Sequence, residues 1–140
     1  MGIDMDINNE FKAVLYNENR DFENIIESCK KENWIAFYTD RKELFREALK
    51  SSCTYTAYKD VEYCGFVRFI SDGFFTVYCC EIIVDTPFRG QGVGKMLMGK
   101  IFERFPGCSV DVISDNDDFY KANSFIVLAN GMRKRACKLV

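Results

Sequence analysis

A long apolar segment that runs into a glycine-rich loop constrains the fold of this chain more than any other feature. Residues 74–85 read FFTVYCCEIIVD, and Pro87 follows two positions later. A run that is apolar on both faces is typical of a strand buried in the middle of a sheet, and proline ends such a strand. Residues 92–105 then carry apolar side chains at helical spacing. The sequence therefore predicts a central strand, a tight loop and a helix, an arrangement found in α/β folds.

The rest of the chain fits the same α/β (α+β) class. Strands are predicted at 11–16, 54–59, 63–70, 108–114, 124–129 and 132–140, with Asn130-Gly131 as the turn of a closing hairpin. Helices are predicted at 20–33, 39–52 and 116–123, with Asp40 and Glu43 as a capping box and Ser114 or Asp115 as the last cap. Residues 34–38, WIAFY, fit an apolar connection. We expect one domain over residues 1–140, with a mixed central sheet of about six to seven strands and about four flanking helices.

Charge and composition exclude several classes of function. The 19 Lys plus Arg and 21 Asp plus Glu residues give a net charge of −2, which argues against a dedicated nucleic-acid-binding protein. No run of 18 apolar residues and no secretion signal is apparent, so we expect neither a membrane segment nor export. The seven cysteines are odd in number and lack a C-x-x-C pair, which indicates reduced thiols in a cytoplasmic protein.

The absence of histidine restricts the chemistry further. Nucleophilic schemes that depend on a Ser/His or Cys/His pair are excluded, and so are most zinc sites, so no metal is expected. Catalysis would have to use carboxylates, tyrosine, thiols, amines or backbone groups. A covalent route through Cys79 or Cys80 is the remaining thiol option, although no residue is evident that would activate either.

The loop itself reads Arg89-Gly90-Gln91-Gly92-Val93-Gly94, followed by Lys95. Its spacing does not match a Walker loop or a G-x-G-x-x-G dinucleotide fingerprint, and a turn without a ligand would leave three glycines unexplained. Glycines at the start of a helix let backbone N–H groups approach an anion closely. The R-x-x-G-x-G pattern therefore predicts a site for a pyrophosphate, with the two cationic side chains adding positive charge.

Two motifs in this order resemble the GNAT N-acetyltransferase superfamily. The first is IIVDTPFRGQGVGKML at 82–97, and the second is DFYKANSF at 118–125, with Asn116 just ahead of it. The order of strands and helices is similar from residue 11 to the end. Ser124 departs from the pattern, because the family usually has glycine there. The resemblance implies transfer of an acyl group from acyl-coenzyme A to an amine by direct attack.

The resemblance also implies where the cofactor binds. Strands 74–85 and 108–114 would splay apart in a V shape, and the pantetheine arm would pair with the backbone of Ile82, Ile83 and Val84 in the gap. One N–H of this set would polarise the thioester carbonyl. The remaining cofactor-binding residues implied by the motifs are Arg89, Gly90, Gln91, Gly92, Val93, Gly94, Lys95 and Asn116.

Two residues are candidates for proton transfer. Glu81 is a lone carboxylate within the apolar strand, and burial would make it a stronger base for the incoming amine. The alternative for Glu81 is a structural pair with Arg68 or with a tyrosine on the neighbouring strand. Tyr120 corresponds to the family's acid for the departing thiolate, and the alternative is a tyrosine that only packs in the core.

The acceptor is less well defined by the sequence. In the family the connection between the first two helices lines the acceptor pocket, which here implies Trp34, Phe37 and Tyr38 and an amine of a small molecule or peptide. The alternative for these side chains is core packing. The basic residues Arg133 to Arg135 could attract an acidic acceptor or could simply be solvated. A non-catalytic acyl-CoA sensor is the main alternative function. Acyl-chain preference and oligomeric state, a homodimer included, stay open.

Overall fold

The computed structural model describes residues 10–135 as one five-stranded sheet with five α-helices. The strands are Phe11–Leu15 (β1), Cys53–Lys59 (β2), Glu62–Ser71 (β3), Thr76–Val84 (β4) and Ser109–Val112 (β5). The helices are Glu18–Lys31 (α1), Ile35–Tyr38 (α2), Lys42–Ser51 (α3), Val93–Arg104 (α4) and Asp117–Ala122 (α5), and a 3₁₀ turn covers Thr86–Phe88. The spatial order is β1-β2-β3-β4-β5; neighbours are antiparallel except β4 and β5, which are parallel.

Each face of the sheet has its own apolar core. Helices α1 and α3 cover one face, where Phe22, Ile25 and Leu49 pack against Phe66 and Ile83 of the sheet. Helix α4 covers the opposite face together with Tyr120 of α5. The side chains that α4 and the sheet bury there include Leu97, Met98, Ile101, Val67, Phe69 and Val77. The α/β architecture predicted from the sequence, a mixed central sheet flanked by helices, is therefore confirmed.

An extra residue in β4 changes which side chains face which core. Arg68 of β3 lies opposite Glu81, but the next residue, Phe69, lies opposite Cys79, so Cys80 is a bulge. Before the bulge Val77 and Cys79 face the α4 side, and after it Ile83 faces the α1 side. A bulge of this kind re-aims the residues that follow it. The last residues of β4 thus present even-numbered side chains to α4 and odd-numbered ones to α1 and α3.

The main correction concerns the closing hairpin. Residues 124–135 contain no strand, and the end of the predicted 132–140 strand lies outside the described residues. The segment SFIVLA has β-branched residues but little alternation, so it would need burial on both faces to form a strand. Ile126 and Leu128 are exposed instead. The sheet accordingly has fewer strands than the six to seven expected.

Smaller corrections concern helix starts. Residues Ile35–Tyr38, expected as a connection, form the short helix α2. The capping box at Asp40 is not formed: α3 begins after Arg41 without a side-chain cap, and Glu43 pairs with Arg46. Helix α5 is capped by Asn116, whose side-chain oxygen accepts a bond from the Phe119 N–H. Within the described part of the chain, no helix is both long and apolar enough to cross a membrane.

Candidate active site

A cleft opens where β4 and β5 separate. The two strands pair only from Thr76 to Cys79 on β4 and from Ser109 to Val112 on β5. Beyond Cys79 the backbone of β4 has no strand partner on that side among residues 10–135. The splay expected between these strands is present, and the cleft beside it has a volume of about 640 Å³. It is lined by Glu32, Trp34, Ile82, Ile83, Val84, Phe88, Arg89, Gly90, Gly92, Val93, Gly94, Lys95, Asp115, Asn116, Phe119, Tyr120, Ala122 and Asn123.

One end of the cleft is the N-terminus of α4. Gly92 is its N-terminal cap, with a φ of 86° that disfavours other residues, and no side chain caps the helix. The first bond of the helix runs from the Met96 N–H to the Gly92 carbonyl at 3.0 Å. The N–H groups of Val93, Gly94 and Lys95 therefore precede the helical ladder. Such unsatisfied N–H groups and the positive end of the helix dipole bind anions.

Gly94 has a different role from Gly92: without a side chain, it lets α5 pack closely against the start of α4. A Cβ at this position would lie 2.7 Å from Cε1 of Phe119, closer than real Cβ contacts. The absence of a side chain lets α5 approach the start of α4 and brings Tyr120 to the same cleft. The Gly94–Phe119 contact thus joins the two sequence motifs.

The side chains of Arg89 and Gln91 form hydrogen bonds with other residues of the protein. The Arg89 Nε donates to the Val84 carbonyl at 2.7 Å, and its Nη2 pairs with Oε2 of Glu32 at 2.8 Å. The Gln91 amide donates to the Pro87 carbonyl at 3.2 Å, and Gln91 does not line the cleft. Both side chains therefore brace the loop, and Lys95 is the loop cation without an ion pair among the described residues.

Tyr120 also lines the cleft and is only 7% exposed. Burial, with added repulsion from Cys79 and Asp115, raises its pKa well above the usual value near 10. Its position depends on how α5 ends: Ser124 adopts a φ of 70°, and the Phe125 N–H bonds back to the Tyr120 carbonyl at 3.0 Å. Ser124 therefore makes the left-handed turn for which glycine is usual.

Glu81 lies on the face of β4 that is covered by α1 and α3. Its carboxylate is held at two points by Arg68, with Nε–Oε1 and Nη2–Oε2 distances of 2.6 Å. Arg68 also donates to Oγ of Ser52 at 3.0 Å. Glu81 does not line the cleft. The structure thus contains the Arg68 pair that the sequence left open as an alternative to a catalytic role.

The three expected acceptor residues divide into two groups. Trp34 lines the cleft, while Phe37 and Tyr38 do not. The Phe37 ring lies 5.5 Å from the ring of Trp34 and 4.7 Å from that of Phe45, so it packs in the core beside α3. Asn116, expected at the cofactor, lines the cleft and caps α5.

Several cleft residues were not foreseen from the sequence. Glu32, Phe88, Asp115, Phe119, Ala122 and Asn123 all line the cleft, and most of them lie within or next to the two motifs.

Gly65 of β3 was also missed. A Cβ there would collide with the Ile83 carbonyl, so glycine lets β3 pack against the end of β4. A lone glycine within a strand pattern was the available signal.

The thiols offer little nucleophilic character. Burial raises the pKa of Cys79 to about 12 and also raises that of Cys80. A thiol with a raised pKa is mostly protonated at neutral pH and is a poor nucleophile. Among residues 10–135 no group of three or more His, Cys, Asp or Glu side chains is placed to hold a metal ion.

Comparison with known proteins connects this geometry to a family. Residues 15–125 match the family described as the acetyltransferase (GNAT) family. An uncharacterized N-acetyltransferase, ycf52, of Gracilaria tenuistipitata var. liui is 32% identical over 74 residues, covering 49% of this chain and 41% of that protein. The chain thus aligns with less than half of that curated relative.

Solved structures share the fold. A GNAT-family acetyltransferase of Streptococcus pneumoniae TIGR4 has a TM-score of 0.75 at 22% identity, covering 91% of this chain and 98% of the other. Glucosamine-6-phosphate N-acetyltransferase of Arabidopsis thaliana has a TM-score of 0.67 at 16% identity, with 89% and 97% covered. Aminoglycoside N-acetyltransferase AAC(6')-Iy in complex with CoA has a TM-score of 0.68 at 16% identity, with 90% and 94% covered. With the family match spanning most of its length, this chain belongs to the GNAT family of acetyltransferases.

Proposed function

We propose that this protein is an N-acetyltransferase that moves the acetyl group of acetyl-coenzyme A to a primary amine by direct transfer. The observation that carries the proposal is one cleft that joins three features. These are the uncapped start of α4, the unpaired edge of β4 and the buried hydroxyl-bearing side chain of Tyr120. An enzyme needs all three, whereas a sensor of the cofactor has no need of a proton donor.

The start of α4 is the proposed site for the pyrophosphate. The N–H groups of Val93, Gly94 and Lys95 precede the helical ladder, and the Lys95 side chain adds a positive charge at the same wall. Gly90, with a φ of 76°, and Gly92 give the loop its tight path. Arg89 contributes by holding the loop to Val84 and Glu32, so its role in binding is indirect.

The edge of β4 at Ile82, Ile83 and Val84 is the proposed site for the pantetheine arm. All three residues line the cleft on the side where β5 has diverged. Acetyl-coenzyme A, when bound, supplies the activated acetyl thioester. A backbone N–H of this edge would donate a hydrogen bond to the thioester carbonyl, and one such donor is worth about 3 kcal/mol in related cases.

Tyr120 is the proposed acid. Because its pKa is raised, the hydroxyl keeps its proton throughout the neutral range and can donate it to a leaving sulfur. Glu81 is the proposed base for the amine. Its pair with Arg68 must open or shift before it can accept a proton, since both carboxylate oxygens are occupied.

The acceptor proposed is an amine of a small molecule or peptide. Trp34 supplies an aromatic wall to the cleft, and Asn116 and Asn123 supply polar groups. Structural neighbours carry names that refer to aminoglycosides and to glucosamine 6-phosphate, which are small amines. We further propose that the chain works as a single acyltransferase domain in the cytoplasm, where its cysteines would stay reduced.

The test combines binding with turnover. Thermal unfolding is measured with and without acetyl-coenzyme A, and thiol release is then followed over a panel of amines. An enzyme shows a rise in Tm and release that depends on the amine. A rise in Tm without release across the panel would support the sensor instead, and no rise would contradict both functions.

A further inference from the structure

The last residue of β4 turns its backbone groups towards the cleft. The Asp85 N–H donates to the Cys64 carbonyl of β3 at 2.8 Å. In an antiparallel ladder the backbone groups of successive residues point to alternate sides of the strand. The N–H and C=O of Val84 therefore point away from β3, into the gap that β5 has left. The carbonyl of Ile83, by contrast, faces Gly65 of β3.

The Arg89 side chain fixes this end of the strand. Its Nε donates to the Val84 carbonyl at 2.7 Å, and its Nη2 donates to Oε2 of Glu32 at 2.8 Å. A guanidinium group is planar, so bonds to two acceptors at once leave it little freedom to rotate. The position of the Glu32 carboxylate thus determines where Arg89 holds Val84.

Glu32 is itself held by the way in which α1 ends. It is the C-terminal cap of the helix, and its N–H donates to the Ser28 carbonyl at 3.2 Å. Asn33 then adopts a φ of 61°, and the Trp34 N–H returns to the Cys29 carbonyl at 3.0 Å. A left-handed residue after a helix sets the direction of the chain that follows. Glu32 and Trp34 are both brought to the cleft in this way.

The same helical turn makes a second contact with the end of β4. The hydroxyl of Ser28, which is fully buried, donates to Oδ1 of Asp85 at 2.6 Å. Asp85 precedes the 3₁₀ turn at Thr86–Phe88, and Arg89 follows it. The end of α1 therefore holds this turn on both sides, through Ser28 before it and through Glu32 after it.

We propose that Glu32 is a positioning residue for acetyl transfer, which acts through Arg89 to fix Val84 where its N–H meets the thioester carbonyl. This role rests on the proposed function, because an acyl thioester is what brings a carbonyl to this edge. The start of α4 is held separately, by the packing of Leu97 and Ile101. Loss of Glu32 should therefore misplace the acetyl group without releasing the cofactor. A displacement of about 1 Å can cost about 100-fold in rate.

The kinetic test separates positioning from binding. Glu32→Ala is expected to lower kcat by about 10- to 100-fold and to change the dissociation constant of coenzyme A by less than about threefold. Glu32→Gln keeps an oxygen that can accept from Arg89 and should recover most of the loss. Glu27→Ala is the matched control and should have the parent's kcat, because Glu27 pairs with Lys30 on the same helix and does not line the cleft. An unchanged kcat in Glu32→Ala would overturn the proposal.

A double-mutant cycle tests the route through Arg89. Where Arg89 is already replaced by alanine, Glu32→Ala should change kcat by less than about twofold, because the link to Val84 is absent. Circular dichroism checks that each variant is folded. Equal losses of kcat with and without Arg89 would contradict the proposed route.

Amide NMR with acetyl-coenzyme A tests the positioning without turnover. In the parent, the Val84 amide and those of Val93, Gly94 and Lys95 are expected to shift on binding. In Glu32→Ala the Val84 shift should fall below about half, since hydrogen bonds weaken steeply with misalignment, while the three α4 amides keep theirs. Equal Val84 shifts in the two proteins would overturn the role of Glu32. A parent that binds without releasing thiol would contradict the proposed enzyme, and the Val84 shift would still decide whether Glu32 positions the carbonyl.

Discussion

Arg68 holds both carboxylate oxygens of Glu81 across the β3–β4 pair, and the two side chains are only 16% and 9% exposed. The candidate base is therefore also one half of a largely buried ion pair. If Glu81 is the base, the ion pair and catalysis depend on the same carboxylate, and a single substitution at Glu81 would affect both.

Separating the two roles requires a paired substitution. Glu81→Gln is expected to lower the free energy of unfolding by about 3 kcal/mol, because Arg68 is left without a countercharge. The Arg68→Leu/Glu81→Leu double variant should recover most of that loss. If Glu81 is the base, this stable double variant still has kcat/KM about 100-fold below the parent. Parent-like turnover in the double variant would make the carboxylate purely structural.

Tyr120→Phe tests the proposed acid. The ring and its packing against Phe119 and Phe125 are kept, so stability and the KM for acetyl-coenzyme A should change little. Loss of the proton donor is expected to lower kcat by about 10²–10⁴-fold. Because the pKa of Tyr120 is raised, any loss of activity caused by its ionisation should appear only above about pH 10. Turnover within about threefold of the parent would leave Tyr120 as a core residue.

Gly94→Ala and Gly99→Ala form a matched pair on α4. At Gly94 the added methyl group meets Phe119, which must move together with the start of α5, so affinity for coenzyme A should fall. At Gly99 the methyl group meets nothing within 4 Å, and replacing a mid-helix glycine should stabilise the fold by about 0.5–1 kcal/mol. Calorimetric titration with coenzyme A and thermal unfolding check both. Equal affinities in the two variants would remove the α4–α5 contact from the binding site.

Ser124→Gly should stabilise the protein. A residue with a side chain at a φ of 70° is strained by about 1 kcal/mol relative to glycine, and glycine makes the same turn without that cost. Ser124→Ala keeps the strain and serves as the control. The prediction fails if chemical denaturation gives the glycine variant no advantage over the alanine variant.

Asp21 gives a prediction for acidic pH. Its side chain is fully buried; burial alone would raise its pKa, but hydrogen bonds from Arg20, Tyr58, Thr56 and the Asn17 N–H lower the pKa on balance. A lowered folded-state pKa stabilises the protein at pH values above the unfolded-state pKa, which is near 3.9. This contribution disappears as the pH falls through the folded-state pKa. The free energy of unfolding should therefore drop below about pH 4, and less steeply in Asp21→Asn. Parallel curves for the two proteins would show that another group controls acid unfolding.

The local sequence pattern was sufficient to predict most of the individual strands and helices. Apolar periodicity located the strands through β5 and the longer helices, and the glycine spacing located the start of α4, where the anion site is proposed. It could not predict contacts between elements, such as Gly94 against Phe119 or the Arg89–Glu32 pair, because these depend on tertiary packing. The 124–129 segment shows the opposite limit: its residues favour a strand, but Ile126, Val127 and Leu128 are not buried by any other part of the described chain.

The Cys80 bulge has a consequence for how this protein can evolve. Side chains before and after it follow opposite parities, so the extra residue is what keeps Ile82 and Val84 on the same face as Val77 and Cys79. Without the bulge, regular alternation of the same residues would turn Ile83 towards α4 and Ile82 towards α1. Loss of Cys80 together with the bulge would keep both faces, whereas one more inserted residue would exchange them, so this strand tolerates substitution more readily than added length.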